Sequence, residues 1–172
     1  MARQIALLRG INVGGNKTVQ MARLRALMEG LGYRDVRTYV NSGNVVFSGP
    51  RRSEKHLEAA IAKTFGFDVP VVLRSRDEID DVVRANPLRG VAADPSKHLV
   101  VFCADEAPID LDPADFAPET FHVRGREIYL WAPDGIGTSP LAKLLATKPL
   151  GAKSTARNWR TVEKLLELAD DT

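Results

Sequence analysis

The chain has 172 residues, 44% apolar and 27% charged, ordinary values for a globular protein of one domain or two small subdomains. Its apolar runs are too short and interrupted to cross a bilayer, no signal-peptide core precedes the first strand, and a lone Cys103 excludes an internal disulfide framework, so a cytoplasmic protein is expected. The net charge of +2 conceals a segregation, with nine Lys/Arg against two Asp/Glu in residues 1–52, nine against sixteen in 53–136 and six against four in 137–172, so cationic ends flank an acidic middle.

Residues 5–9 read as a buried strand. The stretch Arg9-Gly10-Ile11-Asn12-Val13-Gly14-Gly15-Asn16-Lys17 then holds three glycines and two asparagines with a cation at each end. A strand-to-helix loop usually needs about 2–6 residues, and this one spends roughly ten. Met21, Leu24, Leu27, Met28 and Leu31 recur at helical spacing, with Thr18 as a candidate cap and Gly32 as a stop. Val36, Thr38 and Val40 alternate with Arg37 and Tyr39 in a second strand, and Asn41-Ser42-Gly43-Asn44 is the turn of a hairpin into a third strand over 45–48. Ser53 caps a second helix with His56 at its third position and Gly66 at its end, before a fourth strand over 69–74.

The order β-α-β-β-α-β is that of a ferredoxin-like sandwich, with spatial strand order 4-1-3-2 and all neighbours antiparallel. That topology brings the glycine loop, the turn 41–44 and the turn at Gly66-Phe67-Asp68 to one end of the sheet, with Arg9 near Val45. The second half reads as a smaller α+β unit: a helix over 77–86, a strand over 98–103, a helical turn at 113–116, a hairpin of 121–123 with 128–131, a helix over 139–146 opened by Pro140, and a last helix. Domains are therefore expected at 1–75 and 76–172, the second packed on the first and echoing it in coarse order. The last helix begins near Ala156 with Ser154 or Thr155 as cap, which puts Arg157 in its first turn, or at Thr161 with 153–160 as a basic loop.

Leu7 to Lys17, the helix Met21-Ala22-x-Leu24-Arg25-x-Leu27 and Thr38 to Phe47 resemble the bacterial family labelled domain of unknown function 1697, and Thr155 to Val162 resembles its second signature. Arg23 departs from the acidic residue more usual there. The resemblance implies an α+β, ferredoxin-like architecture and a bacterial cytoplasmic origin, and it supplies no catalytic residues.

The glycine loop has the glycine spacing of a Walker A loop, but Asn16 displaces Lys17 from the helix entry, and it is not a dinucleotide fingerprint either. What remains is a nest of backbone N–H groups between cations, suited to an anion. The expected ligand is phosphate-bearing, a nucleotide or nucleic acid. Its candidate residues are Arg9, Gly10, Asn12, Gly14, Gly15, Asn16, Lys17, Asn41, Ser42 and Asn44, joined by Lys153, Thr155, Arg157 and Asn158 near the C-terminus. The alternatives are a small enzyme at the same edge, with Arg9 or Lys17 stabilising charge, and a protein-interaction domain. Cys103 reads as inert core and Trp159 as buried. His56, His98 and His122 lack ligand spacing, so neither a metal nor a cofactor is expected.

Overall fold

The computed structural model describes residues 2–91, 93–107, 109–147 and 153–171. By internal contacts the chain divides into two units, Met1–Asp80 with Leu165–Thr172, and Asp81–Lys164. No helix among the described residues is long and apolar enough to cross a membrane.

In the first unit, strand β1 (Arg3–Leu8) is followed by helix α1 (Met21–Gly30), strands β2 (Arg34–Tyr39) and β3 (Asn44–Ser48), helix α2 (Glu54–Phe65), strand β4 (Val71–Ser75) and the start of helix α3 (Arg76–Arg84). The sheet has order β2-β3-β1-β4, with every neighbour antiparallel. Ala6, Leu8, Val45, Phe47 and Val71 face Leu24 and Met28 of α1 and Leu57 and Ile61 of α2, a two-layer core. Helix α2 is bounded as its sequence dictates: Ser53 Oγ accepts the His56 N–H at 3.2 Å, and Gly66 ends it at φ 82°. Thr18 does not cap α1. That helix begins three residues later, and its Gln20 N-cap makes no side-chain bond.

Helix α3 opens on a capping box, in which Ser75 Oγ accepts from the Glu78 N–H at 3.1 Å and Glu78 accepts from the Ser75 N–H at 3.0 Å. The outward edge of β4 is closed in the same currency, since Glu58 accepts from the Val71 N–H at 2.9 Å and Glu54 from the Leu73 N–H at 2.7 Å. Charged acceptors on an edge strand leave no donors for another chain. Glu54→Ala and Glu58→Ala are each expected to cost about 1–2 kcal/mol. The double variant should also self-associate, and urea melts with light scattering at rising concentration will check both.

The second unit takes the end of α3, then strands β5 (His98–Cys103), β6 (Thr120–Arg124) and β7 (Glu127–Trp131), helix α4 (Pro140–Thr147), strand β8 (Ser154–Asn158) and the first half of helix α5 (Trp159–Asp170). Its sheet has order β6-β7-β5-β8, again antiparallel throughout. Val101, Ile128 and Leu130 pack with Phe121 and with Leu141 and Leu145 of α4.

The connectivity repeats that of the first unit. β5 stands where β1 does, the β6–β7 hairpin where β2–β3 does, and β8 where β4 does. The likeness reaches single residues: Arg74 lies opposite Ile5, the third residue of β1, and Arg157 opposite Val100, the third residue of β5, and both arginines are buried. Each of the two strands runs straight into a capped helix. Between β5 and β6 the described residues carry, in place of a counterpart to α1, a short 3-10 turn, Pro113–Phe116, started by an Asp112 cap.

Both expected starts for the last helix are overturned. Residues 154–158 form a strand on β5, with Ser154, Thr155 and Arg157 buried and Ala156 and Asn158 exposed. Pairing with a central strand overrides the helical preference of Ala156 and Arg157. The cap is Asn158, whose Oδ1 accepts from the Thr161 N–H at 2.9 Å. Trp159 is largely buried, as expected, and stacks on His98 with ring centroids 4.7 Å apart. Cys103 is buried.

The far end of α5 is held within the first unit by arginines. Arg3 donates to the Leu168 and Ala169 carbonyls at 3.2 and 3.3 Å, Arg76 makes a two-pronged pair with Asp170 at 2.7 and 3.2 Å, and Arg37 reaches Asp171 at 3.0 Å. Cations at a helix C-terminus complement its dipole and its unpaired carbonyls.

Candidate functional site

The end of the first sheet where β1 exits gathers three loops. Leu8 N–H donates to the Gly43 carbonyl at 2.8 Å, Asn12 Nδ2 to the Asn41 carbonyl at 2.7 Å, and Lys17 Nζ to the Asp68 carbonyl at 2.7 Å. The glycine loop, the β2–β3 turn and the turn after α2 therefore meet there. Arg9 is displaced from its expected partner: Ala6 stands opposite Val45, and the Arg9 N–H donates to Pro70 at 3.0 Å. Three residues of drift arise because β1 ends at Leu8 and its last N–H groups turn to the neighbouring loops.

Residues 10–17 are a miniature hairpin. Asn12 N–H donates to the Lys17 carbonyl and Asn16 N–H to the Val13 carbonyl, both at 3.1 Å. Gly14 and Gly15 are the two central residues of its turn, with φ 60° and 78°, the doubly positive pattern of a type I′ turn. A Cβ built on Gly10, Gly14 or Gly15 meets nothing within 4 Å, so these glycines answer a backbone requirement and leave open space above it. The Gly14 and Gly15 N–H groups have no partner among the described residues.

Two of the four candidate asparagines at this edge, Asn12 and Asn44, have structural roles. Asn12 is a brace. Its Oδ1 accepts from the Val19 N–H at 2.8 Å, and its Nδ2 donates to the Val19 carbonyl at 3.0 Å as well as to Asn41. Asn44 is fully buried, with Nδ2 donating to the Tyr39 carbonyl at 2.9 Å and to Ser42 Oγ at 3.0 Å. Neither amide is available to a ligand. Asn16, Asn41, Ser42 and Lys17 are exposed, and Arg9 is half-buried.

Lys153, Thr155, Arg157 and Asn158 belong to the second unit. Arg157 is buried, with Nη1 donating to Thr155 Oγ1 at 2.7 Å and to the Ala156 carbonyl at 2.8 Å, and burial lowers its pKa to about 10. It is a structural residue of β8, and Thr155 is its partner. Lys153 accepts the Ala104 N–H through its carbonyl, and Asn158 caps α5.

Sequence reasoning missed Val13 and Val40. Both are exposed, at 65% and 52%, and Val40 sits at φ 50°. A β-branched residue in the left-handed region is an outlier that no composition or spacing signal announces. Asp68 was placed at the right end of the sheet without its role, which its carbonyl performs.

Among the described residues, two four-stranded antiparallel sheets, five α-helices and an open, glycine-built loop edge define a small α+β protein with a candidate ligand site on its first sheet. Residues 1–129 match the family described as "Protein of unknown function (DUF1697)", and the chain belongs to that family. The string from Thr155 to Val162 lies beyond the matched stretch. The chain is similar in structure to conserved bacterial protein SP0830 from Streptococcus pneumoniae, at 24% identity and a TM-score of 0.73, over 98% of this chain and 99% of that one. That likeness fixes the fold alone. No curated protein matches the chain.

Proposed function

We propose that the loop edge of the first sheet binds a phosphate-bearing anion, a nucleotide or a nucleic acid. The carrying observation is the exposed Gly14–Gly15 turn, whose two N–H groups have no partner among the described residues, close in sequence to Lys17 and braced by Asn12. N–H groups that point outward from a turn attract an anion, and a braced turn loses little further entropy on binding. In this reading the protein acts in the cytoplasm, the first unit is a ferredoxin-like sandwich, and the second is a shortened copy of it. The proposed ligand residues are Gly14, Gly15, Asn16, Lys17, Asn41 and Ser42.

The test is titration of nucleoside monophosphates, a tRNA and a single-stranded oligonucleotide against wild type, Gly14→Val, Lys17→Ala and Arg157→Ala at two salt concentrations. Gly14→Val is expected to abolish binding, because its side chain blocks the approach and resists positive φ. Lys17→Ala should weaken binding by about tenfold with the melting temperature little changed, a surface substitution costing roughly 0.5 kcal/mol or less of stability. Arg157→Ala should lower stability and leave affinity alone. Oligonucleotide affinity should fall with salt as counterions cease to be released. Absence of binding to every anion, or indifference to Gly14→Val and Lys17→Ala, returns the edge to an uncharged substrate or a protein partner.

A further inference from the structure

Resting on that reading, we propose that Val13 and Val40 grip the nucleoside part of the ligand, so that the site takes a nucleoside phosphate rather than phosphate alone. Among the described residues four large apolar side chains are exposed, and two of them are these valines. They adjoin one hydrogen bond, because Val13 follows Asn12 and Val40 precedes Asn41, and Asn12 Nδ2 donates to the Asn41 carbonyl at 2.7 Å. Val13 also directly precedes Gly14, whose N–H has no partner among the described residues. An apolar surface is thus continuous in sequence with the phosphate donors.

Val40 is the more telling of the two. Its φ of 50° is one that glycine or asparagine adopts readily and a β-branched residue resists, and half its surface stays in water. Folding gains little from burying it and loses to its strain. Strained residues persist where function needs the side chain. Asn16 and Asn41 complete the chemistry, since their exposed amides have no partner among the described residues and offer donors and acceptors to the polar edges of a base. Phosphate donors, aliphatic faces and free amides together match a nucleoside phosphate, whether a free mononucleotide or a unit of a nucleic-acid strand.

The experiment is calorimetric titration of inorganic phosphate, the four nucleoside monophosphates, adenosine and a short single-stranded oligonucleotide against wild type, Val13→Ser and Val40→Asn. At least one monophosphate is expected to bind about tenfold or more tightly than inorganic phosphate. Each valine variant should lose about five- to tenfold of that advantage and keep the phosphate affinity. Val40→Asn should meanwhile melt about 2–4 °C higher, because it relieves the strain while it weakens binding. Val13 has no such strain, so Val13→Ser tests the grip independently of folding. Mononucleotide binding identifies a free nucleotide as the source, and oligonucleotide binding alone, sensitive to Val13→Ser, identifies a strand. Equal affinity for phosphate and every monophosphate, or nucleotide affinity unmoved by Val13→Ser, overturns this inference and leaves phosphate binding standing. Failure of every phosphate compound to bind removes both.

Discussion

Gly43→Ala is expected to destabilise the protein by about 3–5 kcal/mol, combining overpacking with left-handed strain. Gly43 lies at φ 91°, and a Cβ there falls 2.7 Å from Leu8 Cβ and 3.0 Å from Ile11 Cδ1, both on buried residues. Neither neighbour can yield cheaply. Leu8 is in the central strand and its N–H is bonded to the Gly43 carbonyl, so any retreat breaks the contact that joins the glycine loop to the β2–β3 turn. The melting temperature should fall by roughly 10 °C. Gly14→Ala is the control, because its Cβ enters open space and bears the strain alone, at about 1–2 kcal/mol. Thermal and urea melts of the two variants decide the point. Equal effects would show that Gly43 is chosen for its φ and not for the close approach of Leu8.

Acid will weaken the fold through His98. Its side chain opens β5, is 1% exposed, stacks on Trp159, and its Nε2 has no hydrogen-bond partner among the described residues. Burial disfavours the charged imidazolium and pushes its pKa down to about 4, against 6.5 in the open chain. A depressed pKa means that the unfolded chain takes up the proton first. The stabilisation is complete above about pH 6.5 and is lost as the pH falls toward 4, by of order 3 kcal/mol in all. The carboxyls of Asp94 and Asp170 are held below their usual range, Asp94 by hydrogen bonds from Ser96 and Asp170 by Arg76, so their own losses on acidification come lower in pH. Urea melts from pH 7.5 to 4.0 on wild type and His98→Phe will separate the contributions. The variant should flatten the profile between pH 6.5 and 4, and an unchanged slope would exclude His98 as its source.

The convergence of loops at the candidate site was legible from order alone. Once Ile5 to Leu8 reads as a central strand and Asn41-Ser42-Gly43-Asn44 as a hairpin turn, the connectivity brings residues 10–17, 41–44 and 66–68 to one end. Which of those residues face a ligand was not legible. Asn12, Asn16, Asn41 and Asn44 are the same residue type in the same kind of loop, and the sequence does not distinguish the brace and the buried turn residue from the exposed amides. Burial and partner choice separate them, and both depend on chain segments distant in sequence.

Locally encoded features were readable because their causes lie within a few residues. They include the Ser53 cap, the Gly66 stop, the apolar periodicity of α2, the alternation in the hairpins and the helical turn at 113–116. The segment from Lys153 to Arg160 shows the opposite case. Its composition suits a helix start or a basic loop, yet pairing with Val100 and Phe102 makes it a strand, buries Arg157 and moves the cap to Asn158. The sequence by itself determined the identity and order of most elements, through capping, periodicity and turn chemistry. The tertiary structure alone decided the strand order by which the second sheet repeats the first, where the sequence showed an echo in coarse element order, that three arginines pin residues 168–171 within the first unit, and that Val40 stands strained in solvent. Those outcomes rest on strand pairing and side-chain partners far apart in sequence, and no local pattern of residues carries that information.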